Sequence, residues 1–352
     1  MMNVAIDISP LSTGHKVRGV GFYLKHLKEA FTKYDKEITF NYFSSLSGVK
    51  DADVIHFPYF DPFSKAIPFN LSVPIIVTIH DLTPIKFAKH FPVGVRGNVN
   101  WKINKYQSKK LSAIITDSES SKKDIIKYLS YPEDKIHVVY LAAGEEFFPK
   151  KVTAQRAQEL RDKYNLPEKF VLYVGDVTWN KNIPRLIKAC IDKEIPLVMA
   201  GKALVQKDYE TNHPWNKDLV TSQKLIRTAK TIHALGYVDD DDLVDLYRLA
   251  TVFTMPSLYE GFGLPVIEAM QSGVPVVASN EGSLPEVGGE AIYYVDANSE
   301  ESIAQGIYDV FNSQQLQKEL TQKGMEQAKM FSWTKTAEQT ITVYKTILSH
   351  ER

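Results

Sequence analysis

The feature that most constrains the fold of this 352-residue chain is a repeated alternation of short apolar segments with amphipathic ones. Apolar runs such as 38–43 (ITFNYF) and 274–279 (VPVVAS) have the length and the β-branched and aromatic residues that are typical of buried strands. Between such runs lie segments like 19–31 (GVGFYLKHLKEAF), whose apolar residues recur at helical spacing. This alternation predicts an α/β fold in which helices cover parallel sheets.

The alternation occurs in two series. A polar, helical stretch at 145–167 separates them, and we place the domain boundary there. The sequence therefore predicts two doubly wound, Rossmann-like domains, 1–150 and 151–332, which face each other across a cleft. Ligands of such sheets bind outside the carboxyl ends of the strands.

Composition excludes several classes of protein. The formal net charge is zero, so a broad basic surface for nucleic acid is not expected, although residues 1–150 carry a small positive excess and the remainder an equal negative one. Cys190 is the one cysteine, which excludes a disulfide framework. The longest apolar run, LSVPIIVTI, is too short to span a bilayer. The chain enters its first strand directly, without a signal-peptide pattern, so we expect a cytoplasmic protein.

The segment 257–270 (SLYEGFGLPVIEAM) points most directly to a binding site. It follows an apolar run that ends at Pro256, so Glu260 lies on a loop, whereas Pro265 marks the start of a helix that carries Glu268. The glycines between them let the backbone approach a ligand closely, and the free N–H groups of the helix start form an anion site. Complementing the helix dipole is the alternative role for Glu268.

Two other loops carry glycines at strand ends. Gly19 and Gly21 precede the first helical pattern, where ordinary turn chemistry explains them equally well. Gly175 ends a later strand, and Lys181 lies near the start of the next helix, where a lysine suits a diphosphate. A solvated lysine is the alternative.

His80, at the carboxyl end of a buried strand, is a candidate for contact with a ligand, whereas His56 is more ambiguous. Ser118 and Ser120 lie at another strand end, where helix capping explains them as well as ligand contact does. The nine histidines are scattered, and no paired-ligand spacing, nucleophile elbow or Walker loop occurs. We therefore expect no metal site and no cofactor.

Segment 255–296 closely resembles the signature of the group 1 glycosyltransferases, a retaining family with the GT-B fold. Residues 235–250 (LGYVDDDDLVDLYRLA) and 173–182 (YVGDVTWNKN) are similar to the same family, and the first domain resembles it more loosely through 78–84 (TIHDLTP). The resemblance covers nearly the whole chain. It implies a last helix, 333–352, that crosses back to the first domain.

The resemblance also implies roles for matching residues. Glu268 would bind the ribose hydroxyls of the nucleotide, and Glu260 would lie against the donor sugar near its anomeric carbon. Lys181 would hold the diphosphate and neutralise the leaving group, and His80 would reach the donor sugar. The backbone N–H groups of Phe262, Gly263 and Leu264 would meet the sugar and the diphosphate, and the loop of Gly19 and Gly21 would close over the phosphates.

One departure from the family pattern concerns the positive charge. The family usually pairs the lysine with an arginine, and the corresponding positions here are Asp176 and Asn180. Stabilisation of the leaving group would then depend on Lys181 and the helix start alone, or on Arg185.

The residues and the resemblance together predict a glycosyltransferase that moves a hexosyl unit, mannose or similar, from a nucleotide-diphosphate sugar to a glycan or lipid-linked glycan in polysaccharide biosynthesis. The resemblance implies that the transfer is retaining. A sugar-nucleotide epimerase with the same fold and a non-catalytic nucleotide-sugar-binding subunit are the alternatives. Lys102, Lys105, Lys109 and Lys110, with Trp101 and Tyr106, suggest a peripheral contact of the first domain with the inner face of the membrane. A solvated helix face is the other interpretation of that run.

Overall fold

The computed structural model describes residues 1–12, 19–34, 36–49, 51–68 and 72–350, without the side chain of His350. The chain divides into two compact units, one formed by Met1–Ala142 with Phe331–Arg352 and the other by Ala143–Met330. The division between the units thus comes eight residues before the expected boundary at 150. The reason lies in contacts within the second unit, where Arg248 donates to the carbonyls of Glu146 and Phe148.

The first unit contains a parallel six-stranded sheet with the order β2-β1-β3-β4-β5-β6. Its strands are β1 (Met2–Asp7), β2 (Ile38–Phe43), β3 (Val54–Phe57), β4 (Ile75–Thr78), β5 (Ala113–Thr116) and β6 (Ile136–Val138). Its helices before the second unit are α1 (Gly19–Phe31), α2 (Thr83–Lys86), α3 (Val95–Ser108) and α4 (Glu119–Leu129). Every residue of β3, β4 and β5 is buried, as expected for central strands with helices on both faces.

The second unit contains another parallel six-stranded sheet, with the order β12-β11-β10-β7-β8-β9. Its strands are β7 (Val171–Val174), β8 (Leu197–Ala200), β9 (Ile232–Gly236), β10 (Val252–Met255), β11 (Val276–Ser279) and β12 (Ile292–Val295). Its helices are α5 (Ala154–Tyr164), α6 (Ile183–Asp192), α7 (Lys217–Thr228), α8 (Asp240–Leu249), α9 (Leu264–Gln271), α10 (Leu284–Gly288), α11 (Glu300–Asn312) and α12 (Gln314–Ala328). This strand order is that of the doubly wound nucleotide-binding fold.

A cluster of ionic hydrogen bonds fastens α5 to α8 in the second unit. Asp242 is buried and accepts hydrogen bonds from Arg156, Lys163 and Tyr164. Burial alone would raise the pKa of Asp242, but the bonds from Lys163, Tyr164 and Arg156 outweigh it and lower the pKa to about 2. The cluster therefore stabilises the folded unit at neutral pH.

The last helix, α13 (Trp333–His350), belongs to the first unit. Thr336 Oγ1 donates to the carbonyl of Tyr140 at 2.7 Å, and the buried Tyr344 hydroxyl lies 2.7 Å from Nδ1 of His56 on β3. The chain thus returns to the first sheet after it has completed the second. Across the described residues, no helix is both long enough and apolar enough to cross a membrane.

Candidate active site

The loops after β7 and β10 occupy the place where a doubly wound sheet opens a binding crevice. β7 and β10 are neighbours, but the chain proceeds from β7 towards β8 and from β10 towards β11, on opposite sides. Loops that leave such a pair diverge and leave a crevice at the carboxyl ends of the strands. Gly175 follows β7 and Glu260 follows β10, so both lie at this point.

Lys181 and Glu260 form an ion pair between these two loops. The Lys181 ammonium donates to both carboxylate oxygens of Glu260 at 2.8 Å, and the lysine side chain is 21% exposed against 8% for the glutamate. A mostly buried carboxylate needs such a partner because desolvation disfavours a lone charge. The contact brings together two residues that the family resemblance assigned to the diphosphate and to the donor sugar.

The loop that carries Glu260 is held from both sides. Asn180 Nδ2 donates to the carbonyl of Tyr259 at 3.0 Å, and the Asn180 carbonyl accepts from the backbone of Leu258 at 2.7 Å. On the other side, Ser283 Oγ donates to the carbonyls of Phe262 and Glu260 at 2.7 and 3.2 Å. These bonds fix the backbone of the loop.

Glycine is required at two points of this arrangement. Gly263 has φ +98° and immediately precedes α9, so the chain turns into the helix with its backbone N–H groups uncovered by a side chain. Gly282, with φ +63°, lies so close to Glu260 that an added Cβ would clash with the backbone oxygen and nitrogen of that residue. The loop after β11 therefore packs directly on the loop of Glu260. Phe262 is buried and Leu264 half-buried at the start of α9.

Glu268 lies on α9 in a buried environment. The Tyr247 hydroxyl, itself fully buried on α8, donates to Glu268 Oε2 at 2.7 Å. Burial raises the pKa of Glu268 to about 7; the Tyr247 bond opposes the shift, and the charges of Glu146 and Asp240 add to it. The ionised form of this carboxyl is therefore unfavourable in its surroundings, and a ligand that donates hydrogen bonds to it would stabilise that form.

The two positions where the resemblance implies an arginine, Asp176 and Asn180, both have hydrogen-bonded side chains. Asn180 is 8% exposed, and its amide accepts from the Thr178 hydroxyl at 2.8 Å while it donates to the carbonyl of Tyr259. The side chain therefore supports the loop and supplies no positive charge. Arg185 donates to Asn182 Oδ1 at 2.7 Å. Asp176 Oδ1 accepts the backbone N–H of the following residue at 3.0 Å.

His80 lies in the first unit, where its ring contacts two acceptors. Nδ1 is 2.7 Å from Asp117 Oδ2, and Nε2 is 3.2 Å from the carbonyl of Pro58. Burial by itself lowers the pKa of His80, but the charge and hydrogen bond of Asp117 outweigh it and raise the pKa above its usual value. His80 is therefore a partly exposed group, with 18% of its side chain accessible, whose surroundings favour the protonated ring.

His56 has a structural role. It is fully buried, with Nδ1 at 2.7 Å from the Tyr344 hydroxyl and Nε2 at 2.8 Å from Thr78 Oγ1. Burial lowers the pKa of His56 to about 3, so the ring is neutral, and it connects α13 to the sheet.

Gly19 and Gly21 are both in the first turn of α1, not in a loop before it. Residues 13–18, which lead into this helix, lie outside the described part of the chain. Ser118 caps α4 by accepting the N–H of Ser121 at 3.0 Å, which is the capping alternative left open for it. Within the described residues, histidine, cysteine, aspartate and glutamate form no cluster of three that could hold a metal ion.

Sequence reasoning missed the residues that support the candidate side chains. Asp117 follows β5 directly, so the strand-end argument that selected His80 applies to it as well. Tyr247 and Ser283 carried no such signal, because a tyrosine in an amphipathic helix and a serine before a helix are both ordinary.

Comparison with known proteins identifies the family of this chain. The family model "Glycosyl transferases group 1" matches residues 156–327, and "Glycosyltransferase Family 4" matches residues 17–143. O-antigen chain mannosyltransferase B of Escherichia coli is 36% identical over 241 residues, which are 66% of this chain and 60% of that protein. Serotype-specific mannosyltransferase WbdA of Escherichia coli is 30% identical over 299 residues, 82% of this chain and 35% of that protein. The chain thus spans less than two thirds of these curated relatives.

Among solved structures, HepE of Anabaena in complex with UDP and glucose has the same fold, with a TM-score of 0.72 at 15% identity. The match covers 97% of this chain and 99% of that one. The two parallel sheets, the Rossmann-type order of the second and the return of the last helix to the first unit are those of the GT-B fold. With family models matching residues in both units, this chain belongs to the group 1 glycosyltransferases.

Proposed function

We propose that the protein is a retaining glycosyltransferase that moves a hexosyl unit, mannose or a similar sugar, from a nucleotide-diphosphate sugar to a glycan or lipid-linked glycan in polysaccharide biosynthesis. The observation that carries the proposal is the contact between Lys181 and Glu260 at the crevice of the second sheet, beside the glycine-led start of α9. Two relatives that are named mannosyltransferases support mannose as the sugar. The solved complex of HepE with UDP and glucose supports a nucleotide-sugar donor.

The chemistry follows from these groups. The bond between the anomeric carbon and the diphosphate oxygen breaks, and the acceptor hydroxyl forms a new bond to the same face of that carbon. The acceptor proton leaves with the departing diphosphate. Because charge develops mainly on the leaving group and on the sugar, positioned charges and dipoles provide most of the catalysis.

Each candidate residue has a task in this step. The Lys181 ammonium and the N–H groups at the start of α9 stabilise the negative charge of the departing diphosphate. Glu260 fixes the direction of Lys181 and faces the sugar. Glu268 accepts hydrogen bonds from the ribose hydroxyls, and His80 donates to the donor sugar. No metal enters the proposal, since lysine and helix N–H groups take the place of one.

The exposed face of α3 supports a contact with an anionic membrane surface, where a lipid-linked acceptor would lie. Val95, Val99 and Tyr106 are 83%, 48% and 65% exposed, and Lys102 is exposed on the same helix. Trp101 does not contribute as expected, because it packs against the core of the first unit. Lys109 and Lys110 follow the last residue of the helix, Ser108, and both are exposed.

A donor screen tests the proposal. The protein is melted with a panel of nucleoside-diphosphate hexoses, and donors that raise the midpoint are incubated with and without glycan acceptors. Conversion of the donor alone would indicate an epimerase, and binding without transfer would indicate a non-catalytic subunit. Lys181→Ala is expected to abolish transfer, whereas Lys188→Ala, on the exposed side of α6, is the matched control. Transfer that persists in Lys181→Ala would refute the assigned role.

A further inference from the structure

We propose that Asp117 is a positioning residue that holds His80 as a doubly protonated imidazolium, so that its Nε2–H is a hydrogen-bond donor. The contact between this donor and the transferred sugar rests on the proposed function. The pairing of Asp117 with His80 stands on the geometry of the first unit alone.

The two neighbours of the His80 ring are both acceptors. Asp117 Oδ2 lies 2.7 Å from Nδ1, and the Pro58 carbonyl lies 3.2 Å from Nε2. A neutral imidazole has one N–H and satisfies only one of these acceptors, whereas the imidazolium donates to both. The shorter contact is to the carboxylate, as expected for a charge-assisted bond. The Pro58 contact is long, so Nε2–H can exchange it for a stronger acceptor.

The negative charge of Asp117 also requires the imidazolium as its partner. The side chain of Asp117 is 4% exposed, and its Oδ1 has no hydrogen-bond partner among the residues that the structure describes. Burial raises the pKa of Asp117, and the charge and hydrogen bond of His80, 2.7 Å away, oppose that rise. Ser121 Oγ donates to the His80 carbonyl at 2.8 Å and thereby fixes the backbone that carries the ring.

The other ionisable groups around His80 come from three elements. Asp81, in the same loop, adds a negative charge that favours the imidazolium. His56 on β3 is neutral, because burial lowers its pKa to about 3. Tyr23 on α1 places its ring edge-on to His80, with 5.0 Å between the centroids, and burial keeps its hydroxyl un-ionised. Asp117 is thus the charge in direct contact with the ring.

The variant Asp117→Asn removes the negative charge and keeps the size of the side chain, so it tests the effect of the charge separately from packing. Without the carboxylate charge, the ring becomes neutral at a lower pH. The asparagine amide donates through Nδ2 to an unprotonated Nδ1, and Nε2–H still donates to the Pro58 carbonyl. The variant thus replaces a charged hydrogen-bond donor by a neutral one.

The protonation state is measured directly. Among the nine histidines, the Cε1–H signal of His80 is identified by its loss in His80→Gln, and its pH titration is followed by carbon-edited NMR. We expect the pKa of His80 to lie above the usual 6.5 in the parent protein and to fall by at least one unit in Asp117→Asn. A parent value at or below 6.5, or an unchanged value in Asp117→Asn, would overturn the proposal. If the variant does not fold, the titration of His80 in the parent protein tests the proposal by itself.

Kinetics tests the consequence for transfer. Because the pKa of His80 is raised, the protonated, active form persists to higher pH and is lost only as the pH rises through that pKa. In Asp117→Asn the alkaline limb of kcat moves to lower pH, so kcat at pH 8 falls by about tenfold or more, with a smaller loss at pH 6. Asp124→Asn, which breaks a buried ion pair with Lys86 in the same unit, should keep the parent profile.

The two kinds of failure are distinguishable. If the parent protein transfers sugar and Asp117→Asn has an unchanged pH profile, Asp117 has no positioning role in the reaction. If no donor is transferred by the parent protein but the NMR shift occurs, the proposed function fails and the pairing of Asp117 with His80 stands.

Discussion

Replacing Glu268 by glutamine is expected to stabilise the free protein while it weakens nucleotide binding. Burial raises the pKa of this carboxyl from 4.5 to about 7. The folded state therefore holds the proton more tightly than the unfolded chain does. At about 1.4 kcal/mol per pH unit, the ionised carboxylate costs the folded state ~3 kcal/mol at pH 8, and glutamine removes that cost.

The dependence on pH identifies the cause. Below pH ~4.5 both states of the parent protein are protonated at Glu268, and the glutamine variant has no advantage. Between that pH and about 7, the unfolded parent chain loses the proton and the folded one keeps it, so the advantage of the variant grows with pH. Above that range it is constant.

Urea unfolding of the parent and Glu268→Gln at several values between pH 5 and 8 measures this advantage. Glu290→Gln, an exposed glutamate in the same unit, is the control and should change the free energy of unfolding by less than about 0.5 kcal/mol. Titration with nucleotide at pH 8 should give an affinity roughly 10- to 100-fold lower in Glu268→Gln, because hydrogen bonds to a charged acceptor are lost. A stability difference that is flat with pH, or a parent protein more stable than the variant at pH 8, would refute the reasoning.

Three further predictions concern other parts of the molecule. Asp242→Asn should cost the second unit about 2 kcal/mol at pH 7, because a pKa of about 2 reflects carboxylate stabilisation that exists above pH ~4 and disappears at lower pH; an unchanged midpoint in thermal unfolding would contradict this. Transfer should continue in EDTA, since Lys181 and the start of α9 supply the positive charge; activity that is lost and then restored by magnesium or manganese would show a metal requirement. Vesicles with anionic lipid should sediment the protein at low salt but not at high salt, and Lys102→Glu should reduce this; protein that stays in the supernatant at low salt would exclude the membrane contact.

The positions of helices and strands could be predicted closely from the sequence where the residues at an element's ends and its apolar spacing indicate the same element. α1 covers Gly19–Phe31, the segment whose apolar residues recur at helical spacing, and α6 begins after the left-handed Asn182, with a proline in its first turn. No sequence pattern indicated β12, a partly buried edge strand, or α7, which follows a long polar loop.

The candidate site was only partly predictable. Strand-end placement selected His80 in the first sheet and Glu260 in the second, because ligands of parallel sheets bind outside the carboxyl ends of the strands. Lys181 was selected by its place near the start of the next helix. The pairs that determine the charge of these groups join positions far apart in sequence, 79 residues for Lys181 with Glu260 and 37 for His80 with Asp117. No local pattern encodes such pairs, so burial and partner identity came only from the structure.

Asn180 has a consequence for anyone who tries to restore the family's arginine. Its amide donates to the carbonyl of Tyr259, and the next residue, Glu260, forms the ion pair with Lys181. Asn180→Arg would therefore add a cation and remove a hydrogen bond that supports the same loop. The substitution is therefore expected to show sign epistasis, harmful alone and useful only after another residue has taken over the carbonyl of Tyr259. Directed evolution towards an arginine at this position should therefore change the residues around Tyr259 first.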